Sequence, residues 1–258
     1  MAIAIKKING INVNNIKKLN GVNYTEELYN TSFISSANLI AYYRAENVND
    51  SKGAYTLTNT NSVGFSPAKF NNGFDFGSTN TNKVMIISNN LGITGGAMSI
   101  SLWVKLNVEV SADLAFDRYT FCGQNDATSD TSQGIWYEYN SGTPRLFFYR
   151  IKQGVANQGD YYNITMGTSD WYHIVYTYDG TNIRGYVNGV LVLGATAASG
   201  NGTAATTSTV TIGSNVSYSS ASNSIIDDVA IFNTALSAAN IISLSNYNIK
   251  KFMGVSNV

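Results

Sequence analysis

The stretch WYHIVYTYDGTNIRGYVNGVLVLG, residues 171–194, does most to limit what this chain can fold into. Three runs rich in β-branched and aromatic residues are separated by Asp179-Gly180 and Asn188-Gly189. Asp-Gly and Asn-Gly pairs accept the positive φ that tight hairpins demand, so two successive hairpins are expected. The same grammar recurs in LIAYYRAE, GFDFGS, KVMIIS, MSISLWVKLNVEV, RYTFCG, GIWYEYN, RLFFYRI, STVTIG and IIDDVAIFN, each bounded by Gly, Asn, Asp or Ser. About a dozen short strands with scarcely any helical periodicity predict an all-β sandwich or jelly roll. A single late helix is expected in LSAANIISL, with Ser237 as N-cap and Ile241, Ile242 and Leu244 behind it.

A chain of 258 residues is long enough to bury one sandwich core. Sixteen basic and sixteen acidic residues cancel, and charged residues make up only 12%, about half the usual share. That balance argues against a nucleic-acid partner. Solubility falls instead to Ser, Thr, Gly and 33 Asn, a surface suited to an extracellular or particle-borne protein. Cys122 stands alone, which rules out an intrachain disulfide and reads as a small buried filler. No stretch approaches the length of a membrane span or a signal-peptide apolar region, so membrane insertion is not expected.

Taken in order, LIAYYRAE with Asp50, Ser51 and Gly53, then KFNNGFDFGS, MSISLWVKL, WYHIVYTYDGTNIRGYVNGVLV, TIG and IIDDVAIFNTALSAANI form a constellation. It resembles the laminin-G-like, concanavalin A-like jelly rolls of bacterial and phage type across residues 36–248. The resemblance implies two facing antiparallel sheets, a calcium site at one rim, and binding of glycans or proteins through rim loops or a sheet face. It divides the chain into an N-terminal arm (1–33), the jelly roll (34–250) and a tail (251–258). Asn240 stands where the family usually has an acidic residue, and SGNGTAATTS (199–208) reads as a loop.

Calcium wants six to eight oxygens from converging loops. By resemblance the regions of Glu46, Asp50, Gly77, Asp227 and Asp228 meet at one edge and are the candidate ligands. Asp227 and Asp228 lie between apolar Ile226 and Val229, and an alternating strand cannot turn both to solvent. A buried carboxylate needs compensation. Two readings stay open: Asp227 holds a structural calcium with backbone oxygens near Asp50 and Gly77, or Asp227 caps backbone amides while Asp228 is exposed.

Aromatic residues are the other concentration. Rings on both faces of neighbouring strands imply a core set and an outward set, and outward rings with Asn, Arg and Glu would make a sugar platform. The candidates are Tyr137, Tyr139, Tyr149, Arg150, Tyr161 and Tyr162; the alternative is that they merely cover the sheet. Catalysis finds little footing. His173, the only histidine, sits within a strand-like run, and Glu138 stands alone among aromatics. Glycoside hydrolysis needs two carboxylates about 5 to 9.5 Å apart, and sandwich glycosidases carry them as Glu-x-Asp-x-Glu, a string missing here.

The arm says nearly the same thing twice, IKKINGIN at 5–12 and IKKLNGVN at 16–23. Each copy reads as a short strand entering a tight turn. Two such hairpins have too little core to stand alone and would gain stability by adding strands to another chain's sheet edge. Similar starts are found in phage-associated and bacterial proteins that carry this kind of module. The expectation is a non-catalytic recognition module on a virion or bacterial surface, binding a surface glycan or protein receptor and assembling into a homo-oligomer or larger particle through its arm. The alternatives are a purely structural decoration or fibre subunit, and, for the arm, a disordered basic leader.

Overall fold

A computed structural model describes residues 7–8, 11–12, 37–78, 82–93, 96–110, 118–125, 131–152, 159–198, 209–215 and 221–246. In chain order the strands are β1 (Lys7–Ile8), β2 (Ile11–Asn12), β3 (Leu39–Tyr43), β4 (Thr58–Thr60), β5 (Gly64–Pro67), β6 (Asn72–Asp75), β7 (Val84–Ile87), β8 (Met98–Leu106) and β9 (Arg118–Asn125). They continue as β10 (Thr131–Asn140), β11 (Thr143–Lys152), β12 (Gly159–Asn163), β13 (Tyr172–Tyr178), β14 (Asn182–Val187), β15 (Val190–Ala197), β16 (Thr209–Ile212) and β17 (Ser224–Phe232). One helix follows, α1 (Ala238–Ser245).

Two antiparallel sheets face each other. One runs β12-β11-β10-β9-β16-β7-β4; the other runs β15-β14-β13-β8-β17-β6-β5, with β3 also paired to β17. Their inner faces come from simple alternation. Met98, Ile100, Leu102, Val104 and Leu106 of β8 and Ile174, Tyr176 and Tyr178 of β13 meet Ile135, Tyr137, Leu146, Phe148, Val210 and Ile212 of the facing sheet. Each fully buried side chain of this size contributes about 1.5–3 kcal/mol. Cys122 is part of this core, where burial pushes its thiol up to about 12. A polar line crosses the same interior: Arg150 Nη1 donates to Gln133 Oε1, and Gln133 Nε2 donates to Gln124 Oε1 at 2.6 Å.

Both hairpins expected in 171–194 form. Val187 pairs with Val190 across Asn188 and Gly189, whose φ values are 51° and 82°. The Asp179 carboxylate accepts from the amides of Thr181 and Asn182 at 2.9 and 2.7 Å, which fixes the turn between β13 and β14. Ser237 Oγ accepts from Asn240 N at 3.3 Å and caps α1. That helix lays Ile241 and Leu244 over Tyr42, Val175, Tyr186, Ala230 and Phe232, covering part of the outer face of the β8 sheet, while Ile242 is exposed.

In the arm, Lys7 pairs with Asn12 and Ile8 with Ile11, so the first copy of the repeat is a hairpin. The second copy at 16–23, the loop at 199–208 and the tail at 251–258 lie outside the described residues.

Candidate functional site

Strands β9 to β12 are consecutive in sequence and adjacent in space, and their register decides which side chains share a face. Trp136 pairs with Phe147, Glu138 with both Arg145 and Arg118, Gly134 with Tyr149, and Phe147 with Tyr161. With a period of two, these residues line the outer face, and Tyr137, Leu146 and Phe148 point between the sheets.

On that face four rings stand in contact. Trp136 lies 4.3 Å from both Phe147 and Tyr149, and Phe147 lies 4.2 Å from Tyr161. A glycine makes this possible: a Cβ on Gly159 would come within 2.4 Å of Phe147 Cζ, so the ring uses the space a side chain would fill. Trp136, Phe147 and Tyr149 are nevertheless almost wholly buried, whereas Tyr161 is 39% exposed.

Glu138 joins the rings to two cations. Its Oε1 accepts from Arg145 Nε at 2.9 Å and Nη2 at 2.7 Å. Its Oε2 accepts from Arg118 Nε at 3.2 Å and from the Trp136 indole at 3.0 Å, and lies 3.1 Å from Arg118 Nη2. Each guanidinium also lies over a ring, Arg118 at 4.1 Å from Trp136 and Arg145 at 3.5 Å from Tyr161. The Glu138 side chain is 5% exposed, against 39% for Arg118 and 22% for Arg145. What solvent reaches here is therefore part of the Arg118, Arg145 and Tyr161 side chains, while Glu138 is hidden.

Of the six residues expected to form a platform, Tyr149 and Tyr161 are on this face. Tyr137 and Arg150 are corrections. Tyr137 is buried between the sheets, its hydroxyl donating to Ile164 O at 3.2 Å and accepting from Met166 N at 2.9 Å. Arg150 is likewise inside, 4.1 Å over the Tyr178 ring. Tyr139 and Tyr162 are half-buried against the interior cluster. The reason is phase: in a strand with rings at consecutive positions, only one set can face outward. Sequence reading missed Arg118, Trp136, Arg145 and Phe147. A usable signal was present, because a two-residue turn at Ser141-Gly142 sets Glu138 opposite Arg145.

The acidic rim is arranged differently. Asp227 pairs with Trp103 and Ala230 with Ser101, so Asp228 and Val229 are squeezed opposite Leu102 and the strand bulges. Asp228 takes φ 48°, and Ile226 and Val229 both face the core. The two acids are thus both buried and both outside the core. Asp227 Oδ2 accepts from Phe70 N at 2.8 Å and Oδ1 from Asp228 N at 2.7 Å; Asp228 Oδ1 accepts from the Tyr42 hydroxyl at 2.7 Å. Burial, then the neighbouring Asp228, holds the Asp227 carboxyl well above the usual range. Glu46 accepts from Asn72 N at 3.4 Å, so the Glu46 and Asp227 regions do meet on one loop.

These residues do not fit calcium. Asp50 spends both oxygens on the amides of Tyr42, Lys52, Ala54 and Tyr55 at 2.8–3.2 Å. Gly77 donates its amide to Asp75 and accepts at its carbonyl from Asn107. Among the described residues no three or more His, Cys, Asp or Glu side chains converge on a cation position. Of the two readings of Asp227, the amide cap is what its contacts describe, though Asp228 is buried.

His173 is buried beside Trp103, with Nε2 2.9 Å from Ser101 Oγ. Burial, aided by Lys69, pushes it down to about 3. Among the described residues no helix is long and apolar enough to cross a membrane.

A family model described as the concanavalin A-like lectin/glucanases superfamily matches residues 76–242, well over half of the chain. The chain belongs to that superfamily. No curated protein sequence matches it significantly. Among solved structures it is similar to domain 4 of AbnA, a GH43 extracellular arabinanase from Geobacillus stearothermophilus, in complex with arabinotriose: TM-score 0.61, 17% identity, 81% of this chain and 98% of that one. It is similar to the binding domain of Botulinum neurotoxin DC in complex with rat synaptotagmin II, with TM-score 0.57 and 19% identity over 81% of this chain, but spans only 51% of that domain. Trypanosoma rangeli sialidase also matches, at TM-score 0.57 and 13% identity over 86% of this chain and 34% of that one. At these identities the likeness establishes the superfamily's jelly roll.

Proposed function

We propose that the protein is a non-catalytic carbohydrate-recognition module that acts outside cells and takes its ligand on the outer face of β9–β12. The observation that carries this is the fixation of Arg118 and Arg145 by Glu138 beside the exposed ring of Tyr161. A half-exposed ring offers a surface for the apolar side of a sugar, and flanking N–H donors orient its hydroxyls. The similar arabinanase domain, in complex with arabinotriose, and the similar neurotoxin domain, in complex with synaptotagmin, support a binding role on this fold. Glu138 is not placed as a proton carrier, since N–H donors occupy both of its oxygens. That supports binding without turnover.

The test is a glycan array followed by calorimetry on the full chain and on Arg145→Ala. Saturable glycan binding that the substitution weakens is expected. A folded protein that ignores every glycan refutes the reading, and new reducing ends after incubation with polysaccharides refute the non-catalytic part.

Residues 1–33 serve in this reading as an attachment arm that fastens the module to copies of itself or to a bacterial or phage particle. The ladder of Lys7–Ile8 with Ile11–Asn12 supports it, because a bare two-stranded hairpin needs a partner to persist. Removing residues 2–30 is expected to leave the sandwich folded and to abolish assembly; assembly unchanged would discard the arm's role.

A further inference from the structure

The same face carries a statement about ligand class, which rests on the glycan reading above. We infer that the saccharide it takes bears a carboxylate, clasped between Arg118 and Arg145 while that sugar rests against the exposed part of Tyr161, whose ring already has Arg145 over it and Phe147 stacked on it.

Three observations lead there. First, a neutral glycan site is built from bare aromatic surface, and here most of that surface is spent. Trp136, Phe147 and Tyr149 are 9%, 3% and 3% exposed, so the rings chiefly pack against one another and beneath guanidiniums. Tyr161 is the one ring of the four with substantial exposure.

Second, the ion pair itself does not cancel. Two guanidiniums share the single carboxylate of Glu138, so this trio carries one positive charge; Asp160, the other acid that acts on Tyr161, turns its oxygens to Tyr161 N and Thr196 Oγ1. Both arginines engage Glu138 through Nε and Nη2, so the Nη1 group of each lies outside the ion pair. Planar carboxylate is the anion that matches guanidinium N–H geometry.

Third, the cations are held in place before any ligand arrives. Each is fixed from below by Glu138 and from the side by a ring, at 4.1 Å for Arg118 and 3.5 Å for Arg145. A free arginine loses much side-chain entropy on binding an anion; these two have already lost it. Glu138 is thus a positioning residue: its negative charge opposes an anionic ligand, yet its contacts set both arginines for one.

The experiment presents the full chain with neutral, uronate-bearing and sialylated oligosaccharides on one array, then measures trigalacturonate and its methyl ester by calorimetry. Binding confined to carboxylated sugars is expected, with the ester weaker by about tenfold or more. Arg118→Ala and Arg145→Ala should each reduce affinity comparably in a protein that still folds, with a lowered melting temperature because each leaves the buried Glu138 carboxylate one partner short. Arg145→Lys should restore the melting temperature more than the affinity, since an ammonium keeps charge without the fork. Equal binding of acid and ester, or preference for neutral sugars, overturns the carboxylate inference and leaves the glycan reading standing. Equal binding of polyglutamate shows bare charge attraction and overturns it too. No binding to any sugar overturns both.

Discussion

Across the β10–β11 pair, Glu138 accepts two N–H bonds from Arg145, the shorter at 2.7 Å, and the Glu138 side chain is 5% exposed against 22% for that of Arg145. The buried partner sets the position of the accessible one. Glu138→Gln therefore separates two physical ideas. If charge alone governed the face, removing a negative group would tighten an anionic sugar. If positioning governs it, the same change loosens both arginines and weakens binding about tenfold. We expect the second, with a stability loss of about 1–3 kcal/mol in urea unfolding, moderated by the exposure of the arginines.

Gly159→Ala tests the aromatic row. The added methyl would sit 2.4 Å from Phe147 Cζ, so the ring must tilt and carry Tyr161 with it. A cost of about 1–3 kcal/mol is expected, together with an altered near-ultraviolet circular dichroism signal and weaker glycan binding. A spectrum identical to that of the parent would show that the rings do not depend on that space.

His173 makes stability depend on acid. Folded, it stays neutral down to about 3; unfolded, it takes a proton near its ordinary value of 6.5. Between those two values the unfolded chain binds the extra proton, so stability is lost as pH falls through that window. Asp227 has the opposite sign: its raised folded value gives stability that is complete below the ordinary carboxylate range and declines as pH rises. Melting temperatures measured across pH should pass through a maximum, and His173→Gln should flatten the acid limb only. An acid limb unchanged in that variant would assign it elsewhere.

At the acidic rim the contacts predict indifference to chelation. The carboxylates of Asp50 and Asp227 are occupied by backbone amides, so EDTA should leave the melting temperature where calcium leaves it. Asp227→Asn, by contrast, should cost about 1–3 kcal/mol, because an amide can accept at only one end and one of the Phe70 and Asp228 N–H groups loses its acceptor. A calcium-dependent rise in melting temperature, abolished by the same substitution, would restore a metal at this rim.

The sandwich was legible because its signals are local and repeated. Asn188-Gly189 announces a hairpin wherever it sits between apolar runs, and Ser237 announces a helix start. The face was not legible, because period-two patterns do not state their phase when both faces are aromatic. In IWYEYN, Ile135, Tyr137 and Tyr139 form one set and Trp136 and Glu138 the other, and only packing against a second sheet tells which set is inside. Arg150 was misplaced for a related reason. A buried guanidinium is rare, and the glutamine line that receives it, Gln133 and then Gln124, comes from two other strands. The paired acids at 227 and 228 hid a bulge, which breaks the strict alternation of a regular strand.

The proposed contacts all come from one unbroken span of chain, Arg118 to Tyr161, in which the side chains that face outward are interleaved with those that face inward. Sequence change at the outward positions can redraw what the protein recognises without disturbing the interior, since neighbours along the chain answer to different constraints. A short segment of this kind is a natural unit for diversification: its specificity can drift within a few dozen codons while the scaffold stays the same.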